Sequence, residues 1–179
     1  MKPTGRVDTQ RNRARILQTA QRHSGELRLN DVARESGLGV GTVYRHFATV
    51  KALQDALAVP NIETLLALAI AAGQRTDKGD AFRELIVSTV ELQMGTLGLH
   101  AALVDDTDDK TLGSVRSQLI DEYRDLLLAA QIAGTIRDDI DANAVINMLG
   151  GVEHSMRLAP HQSRATYLKI LFQGMSPPT

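Results

Sequence analysis

Residues 1–58 hold basic and hydrogen-bonding side chains that could recognise a negatively charged polymer. This segment holds ten Lys and Arg against five Asp and Glu, a net charge of +5, whereas the remainder of the chain carries −6. Side chains that neutralise phosphates release condensed counterions, which favours binding. The charge distribution therefore indicates a polyanion partner, with a solvated basic face as the alternative.

Several of these donors follow a glycine turn. Gly37 lies between two short helical patterns, and a glycine there can adopt the left-handed conformation that ends one helix and leads into the next. This arrangement is typical of a helix-turn-helix. Apolar residues would lock the two helices together: Val32, Ala33, Leu38, Val43 and Phe47. The residues left exposed on the second helix could enter a major groove: Val40, Gly41, Thr42, Tyr44, Arg45 and His46.

The elements that must position these side chains are all predicted to be helices. Apolar residues recur at the spacing of an amphipathic helix, as in residues 112–130 and 145–156, and no segment alternates with period two for long. We therefore predict an all-α fold of about nine helices.

Capping residues and prolines predict where these helices begin and end. Pro60 falls inside a helical pattern and predicts a kink or break there. Three polar residues are predicted N-caps: Thr49, Asp80 and Asp141. Gly134 is predicted to follow a helix end, and Pro160 to lie in a first turn.

The stretch from Asp31 to Phe47, read together with residues 48–53, resembles the DNA-binding signature of the TetR family of transcriptional regulators. Residues 15–20 resemble the first helix of that family. The match is specific because several residues keep the family's spacing: Gly37, Gly41, Thr42, Tyr44, His46, Phe47 and Leu53. The resemblance implies an N-terminal three-helix helix-turn-helix DNA-binding domain over residues 1–58. It also implies a C-terminal helical effector-binding and dimerisation domain over residues 59–179.

The resemblance further implies a homodimer that binds a palindromic double-stranded DNA operator, represses transcription and is released by a small-molecule effector. No cofactor and no metal ion are expected. Tyr44 and His46 would contact phosphates, and Thr42 and Arg45 are better placed for bases or nearby phosphates. The residues implied in DNA binding are Arg28, Asn30, Val40, Gly41, Thr42, Tyr44, Arg45, His46 and Lys51.

Three positions depart from the family pattern. Arg28 stands where a helix-capping threonine is common, so either Asn30 caps the helix or Arg28 itself contacts a phosphate. Gly39 replaces a serine cap, at little cost. Val50 occupies the position of a phosphate-contacting lysine, and the neighbouring Lys51 points about 100° away around the helix. A phosphate contact by Lys51 is therefore left open.

By the same resemblance, the acidic segment is expected to enclose an apolar effector cavity. Its expected lining is Ile86, Met94, His100, Tyr123, Leu127 and Met148, each of which has plain core as an alternative role. The last two helices, predicted over residues 141–158 and 160–173, resemble the family's dimerising pair. Gly150 and Gly151 would allow close backbone approach. The expected dimer contacts are Leu149, Val152, Met156, Leu168, Leu171 and Phe172, with an internal core stripe as the alternative.

Two other functional classes fit parts of the sequence. A DNA-binding regulator without an effector would carry the same helix-turn-helix. A small metal-dependent enzyme would need one of two side-chain sets: His100 with Asp105 and Asp106, or His154 with Glu153 and His161. Neither set has ligands spaced at i, i+4, and no nucleophile accompanies them, so we expect no enzyme.

The expected compartment is the cytoplasm. The sequence has no cysteine, which excludes a disulfide framework and a thiolate zinc site. Residues 1–20 carry six charged side chains and lack the apolar run of a signal peptide. We therefore expect neither export nor a membrane partner.

Overall fold

A computed structural model of the chain describes residues 4–23, 26–96, 98–159 and 163–178. Within these residues every regular element is a helix, nine in all, which confirms the predicted all-α fold. In chain order the helices are α1 (Thr4–Arg22), α2 (Leu29–Ser36), α3 (Val40–His46), α4 (Val50–Gly73), α5 (Lys78–Gly95), α6 (Leu99–Val104), α7 (Lys110–Ile132), α8 (Ala142–Leu158) and α9 (Arg164–Met175).

The chain divides into two compact units, Met1–Leu57 and Ala58–Thr179. Each unit has its own hydrophobic core, and α4 contributes to both. The first core holds apolar residues of α1 to α4: Ile16, Ala20, Leu29, Val32, Ala33, Val43, Phe47, Leu53 and Ala56. Full burial of one such large side chain stabilises the fold by roughly 1.5–3 kcal/mol. Assigning DNA binding to the first unit and effector binding to the second stays a prediction.

Gly37 turns the chain between α2 and α3. It adopts a left-handed conformation with a φ of 65°, which strains any residue that has a Cβ. The N–H of Gly37 donates to the carbonyl of Arg34, and the N–H of Leu38 donates to the carbonyl of Ala33. These bonds satisfy carbonyls at the end of α2 that have no partner within the helix. Helix α3 then begins three residues after the turn glycine, as the helix-turn-helix pattern predicts.

Helices α5, α7 and α8 supply much of the core of the second unit. Phe82 of α5 and Tyr123 of α7 pack edge to face, with ring centroids 6.2 Å apart. Arg157 of α8 donates through Nη2 to the carbonyls of Gln93 and Met94, at 2.8 and 3.3 Å, and so caps the C-terminal end of α5. Packing and capping together fix α5 against α7 and α8.

Two predicted N-caps and one predicted helix end are confirmed. The hydroxyl of Thr49 accepts from the N–H of Ala52 at 3.0 Å, at the start of α4. The carboxylate of Asp141 accepts from the N–H of Ala144 at 2.7 Å, at the start of α8. Gly134 follows the end of α7 with a φ of 69°. The prediction for Pro160 lies outside the described residues.

The predicted N-cap at Asp80 is wrong. Asp77 caps α5, and its carboxylate accepts from the N–H of Asp80 at 2.9 Å. Helix α5 therefore begins at Lys78, and Asp80 lies in its first turn. Gly79 is buried against Thr135, where a Cβ would lie 2.6 Å from the threonine hydroxyl oxygen. A cap at Asp80 would have left residues 78–80 outside the helix. The contact of Gly79 with Thr135 accounts for their place in its first turn.

Helix α4 continues through Pro60, so of the two predicted outcomes, a kink or a break, the break is wrong. Proline lacks an N–H and crowds the preceding turn, which usually costs a helix about 3 kcal/mol. The flanking turns offset this cost by burying Ala56, Ala58 and Ile62. By length and composition alone α4 could also cross a membrane, which is weak evidence for a span because a core helix passes the same test.

Candidate nucleic-acid interface

Helix α3 has one buried side and one exposed side. Val43 is buried in the first core, whereas Val40 and Tyr44, one turn apart, are 48% and 46% exposed. Gly41 and Arg45 are a second exposed pair at the same spacing. The two other residues predicted on this face, Thr42 and His46, are half-buried. Six of the nine residues predicted to bind DNA therefore lie on this one short helix.

The width of an α-helix and the available guanidinium donors of Arg45 suit the major groove of DNA. An α-helix with its side chains is about 10–12 Å across, and the major groove is about 12 Å wide. The Nε of Arg45 donates to the carbonyl of Gly41 at 3.3 Å. Among the described residues, no acidic side chain forms an ion pair with Arg45. Its guanidinium can therefore present two parallel donors to a guanine edge.

Two arginines of α1 also lie at the helix-turn-helix. The guanidinium of Arg13 lies over the ring of Phe47, with its central carbon 5.0 Å from the ring centroid. The Nη2 of Arg15 lies 3.1 Å from the point that a Cβ on residue 37 would occupy. The sequence pattern did not mark either arginine as a site residue, although both contribute to the positive charge of this segment. Only the tertiary packing of α1 shows that Arg15 borders the turn and that Arg13 lies at the end of α3.

Neither Arg28 nor Asn30 caps α2 with its side chain. Arg28 occupies the N-cap position of α2, and its side chain makes no capping hydrogen bond. It instead forms an ion pair with Glu26, with Nη2 2.6 Å from the carboxylate. Asn30 is exposed in the first turn of α2, so the alternative that Asn30 caps this helix is wrong. Because α2 begins at Leu29, Asn30 comes too late to be its cap.

Lys51 is held by a carboxylate of its own helix. Its Nζ donates to both oxygens of Asp55, at 3.0 and 3.3 Å, and Asp55 is buried. To contact a phosphate, the lysine would have to exchange this partner at an energetic cost. Val50, at the position where the family places a lysine, is half-buried against the first core.

His23 and Glu35 form a polar contact between the end of α1 and α2. The Nδ1 of His23 lies 3.2 Å from both oxygens of the Glu35 carboxylate. This hydrogen bond is the main reason that the pKa of His23 is raised above its ordinary value, and the negative charge of Glu35 adds to it. The contact therefore favours a protonated His23.

The six residues expected to line an effector cavity occupy different environments. Ile86, Tyr123 and Leu127 are buried in the second core, and Met94 is half-buried against it. Met148 is exposed on α8. His100, on α6, packs its ring against Gly150, where an added Cβ would lie 2.2 Å from the ring Nε2. The structure therefore does not gather all six around one space.

A buried polar pair on α5 was missed by our sequence analysis. Thr89 and Gln93 lie one turn apart and are 2% and 1% exposed. Thr89 hydrogen-bonds to the hydroxyl of Tyr123, whereas both side-chain polar atoms of Gln93 have no partner. The available signal was a glutamine seven residues after Ile86, on the same apolar stripe.

The predicted dimer residues divide into two groups. Leu149, Met156 and Leu171 are buried in the core of their own chain, as the internal-stripe alternative requires. Val152, Leu168 and Phe172 are half-buried against that core and keep some surface. The apolar residues of α8 and α9 with the most exposed surface are others: Met148, Leu158 and Ile170.

The residues proposed for a metal-dependent enzyme do not form a site in the described structure. Within the described ranges, no three His, Asp or Glu side chains lie together in a group that could hold a metal ion. Asp109, at the end of the acidic run, caps α7 by accepting from the N–H groups of Thr111 and Leu112. His161 lies outside the described residues.

Comparison with known proteins gives two findings on the sequence. A family model of TetR C-terminal domains, described as that of SbtR-like transcriptional regulators, matches residues 77–177. No curated protein matches the chain.

Solved structures extend the likeness over most of the chain. A TetR transcriptional regulator from Streptomyces coelicolor is similar, with 25% identity and a TM-score of 0.56 over 93% of this chain and 99% of that one. The TetR family regulator PfmR from Thermus thermophilus is 18% identical, with a TM-score of 0.61 over 88% and 92% of the two chains. RolR, solved with resorcinol, is 14% identical, with a TM-score of 0.65 over 96% and 91%. The last two show the fold alone.

Proposed function

This chain belongs to the TetR family of transcriptional regulators, and from that premise we propose that it is a cytoplasmic repressor that binds a palindromic operator as a homodimer. A small-molecule effector binds the second unit and releases the dimer from DNA. Regulators of this family bind DNA as dimers and respond to small molecules, and their fold is not that of an enzyme.

The exposed side of α3 is the observation that carries this proposal. Val40 and Tyr44, one turn apart, leave about half of their surface exposed and available for apolar contact. Arg45 stands beside them without an acidic partner among the described residues. Such a helix, offering both apolar contact and donors, suits the base edges of a major groove.

The surrounding charge supports a phosphate backbone as the second contact. The first unit carries a net charge of +5, with Arg15 beside the turn glycine and Arg13 beside Phe47 at the end of α3. Phosphate contacts hold the protein in register, and base contacts select the sequence. We assign Arg45 and Thr42 to bases, and Tyr44 and His46 to phosphates. Arg28 and Lys51 are secondary phosphate contacts, because each already has an acidic partner.

Selection from a random duplex library tests the proposal. The chain should enrich a two-fold palindrome with half-sites about one helical turn apart. Arg45→Ala should lower the preference for the selected duplex over a scrambled one by about 10- to 100-fold, since one bidentate base contact is worth about 1–3 kcal/mol. Tyr44→Phe, which removes only the hydroxyl, should weaken binding to both duplexes by the same factor.

Arg34→Ala is the matched control for Arg45→Ala. Arg34 is an exposed arginine of α2 that pairs with Asp31, outside the exposed side of α3. Its replacement should leave the preference for the selected duplex unchanged. If no duplex is enriched, or if Arg45→Ala and Arg34→Ala change the preference equally, the assignment of α3 as the recognition helix is wrong.

A further inference from the structure

The side chain of Gln93 is the least satisfied polar group of the second unit among the described residues. It is 1% exposed, and neither its Nε2 nor its Oε1 has a hydrogen-bond partner. A buried polar group left unpaired costs about 1–3 kcal/mol. Native proteins contain few such groups, and water or a ligand commonly satisfies those that exist. The amide of Gln93 therefore needs an occupant that both donates and accepts.

The neighbouring polar groups cannot fill this role. The hydroxyl of Thr89, one turn earlier on α5, donates to the carbonyl of Leu85 at 2.8 Å. Tyr123 must then donate to Thr89, so both hydroxyl protons are already used. Burial raises the pKa of Tyr123, so its hydroxyl stays neutral. Neither hydroxyl therefore has a proton left to donate to the Gln93 amide oxygen, and neither is charged.

A second unpaired polar group of this unit lies against α8. The Nδ1 of His100 is buried without a partner, and its ring packs on Gly150 of α8. Seven residues later on α8, Arg157 donates to the backbone carbonyl of Gln93. Both residues with unsatisfied side-chain groups therefore belong to elements that contact α8, His100 through its ring and Gln93 through its backbone carbonyl.

We propose that the side-chain amide of Gln93 is the hydrogen-bonding anchor of the effector site, and that the effector is a small neutral molecule with a donor beside an acceptor, as in a lactam or a carboxamide. Such a group pairs with the glutamine amide through two parallel hydrogen bonds. An ionised group is disfavoured because Gln93, Thr89 and Tyr123 carry no charge and the nearby Arg157 is already paired with Glu153. Burying an unpaired charge is far costlier than burying a neutral polar group. This inference rests on the proposed function, which assigns effector binding to the second unit.

Two matched lactams test the inference on the full chain. The probes are 2-piperidone and N-methyl-2-piperidone, which share a ring and a carbonyl but differ in the N–H donor. NMR titration should give an affinity about tenfold higher for 2-piperidone, because one hydrogen bond contributes about 1 kcal/mol or slightly more. The side-chain N–H resonances of Gln93 should shift with 2-piperidone and far less with the methylated analogue. This readout needs no variant.

Gln93→Met removes the amide and keeps the length of the side chain. The variant should fold and melt at or above the wild-type temperature, and the two lactams should then bind equally. Gln118→Met is the matched control, because Gln118 is exposed on α7, and it should keep the tenfold preference. Equal binding of both lactams to the wild type, absence of binding, or a preference that survives in Gln93→Met overturns the inference.

Binding of the same samples to a selected duplex separates this inference from the proposed function. If the wild type binds the duplex but does not distinguish the lactams, only the role of Gln93 is lost. If it distinguishes the lactams but binds no duplex, the role of Gln93 stands and DNA binding by the chain is lost.

Discussion

A substitution at Gly41, on the exposed side of α3, should change stability and DNA binding in opposite directions. No atom lies within 4 Å of the point that a Cβ there would occupy. Gly41→Ala should therefore raise the free energy of unfolding by about 0.5–1 kcal/mol, as alanine does within a helix. The added methyl group should nevertheless weaken DNA binding, since α3 approaches the base edges closely. Urea denaturation and fluorescence anisotropy measure the two effects.

Gly37→Ala is the control for this prediction, because it should affect stability in the opposite direction. Its left-handed φ of 65° would cost an alanine about 1–2 kcal/mol. Arg15 would also have to move. A Gly41→Ala variant that binds DNA as tightly as the wild type would remove Gly41 from the interface.

The contact between His23 and Glu35 predicts a pH dependence of stability. Glu35 raises the pKa of His23 in the folded chain. The stabilisation by protonated His23 should therefore be complete below the unfolded-state pKa of about 6.5 and be lost as the pH rises through the higher folded-state value. NMR titration of the His23 ring should show this raised pKa, and Glu35→Gln should return it toward 6.5. Equal titration in both proteins would show that the contact is absent in solution.

At the scale of the helices, the start of α5 gives a test with two aspartates three residues apart. Asp77→Ala removes the N-cap and should lower the free energy of unfolding by about 1 kcal/mol. Asp80→Ala removes only a favourable charge near the helix N-terminus and should cost about 0.3–1 kcal/mol at most. Chemical denaturation of both variants measures the difference. A larger loss for Asp80→Ala would restore the sequence-based prediction of the cap.

The sequence was sufficient to predict the all-α fold, the turn at Gly37 and the buried positions of Val32, Ala33 and Val43. These features depend on local periodicity and on one glycine conformation. The start of α5 was not predictable in this way, because Asp77 and Asp80 both fit an N-cap and the buried contact of Gly79 with Thr135 decides between them. The partner of Lys51 and the unpaired amide of Gln93 likewise depend on tertiary packing.

Helices α8 and α9 show a further limit of prediction from sequence. Periodicity identifies Leu149, Met156 and Leu171 as apolar stripe residues, but it does not distinguish an internal core from a contact between chains. In the structure all three are buried within their own chain. For the whole molecule, the proposed dimer must therefore use the residues that keep exposed surface.

The exposed Ile170 of α9 tests the proposed dimer. It is 62% exposed, so Ile170→Lys should leave the stability of the monomer unchanged. The same charge buried between two copies should weaken the dimer by at least about tenfold, because an unpaired charge is costly to desolvate. Sedimentation equilibrium measures this change. The control is Ile132→Lys, since Ile132 of α7 is 80% exposed and lies outside the last two helices. Equal dissociation constants for the two variants would place the interface elsewhere.

The central claim is that a basic first unit, present twice in a dimer, binds duplex DNA through α3. Fluorescence anisotropy with the selected duplex at 50 and 200 mM salt tests this claim most directly. We predict that affinity falls by about a thousandfold or more over this range, as expected for six or more phosphate contacts. Binding that does not change with salt, or a monomer that binds no duplex at 50 mM salt, would contradict the account.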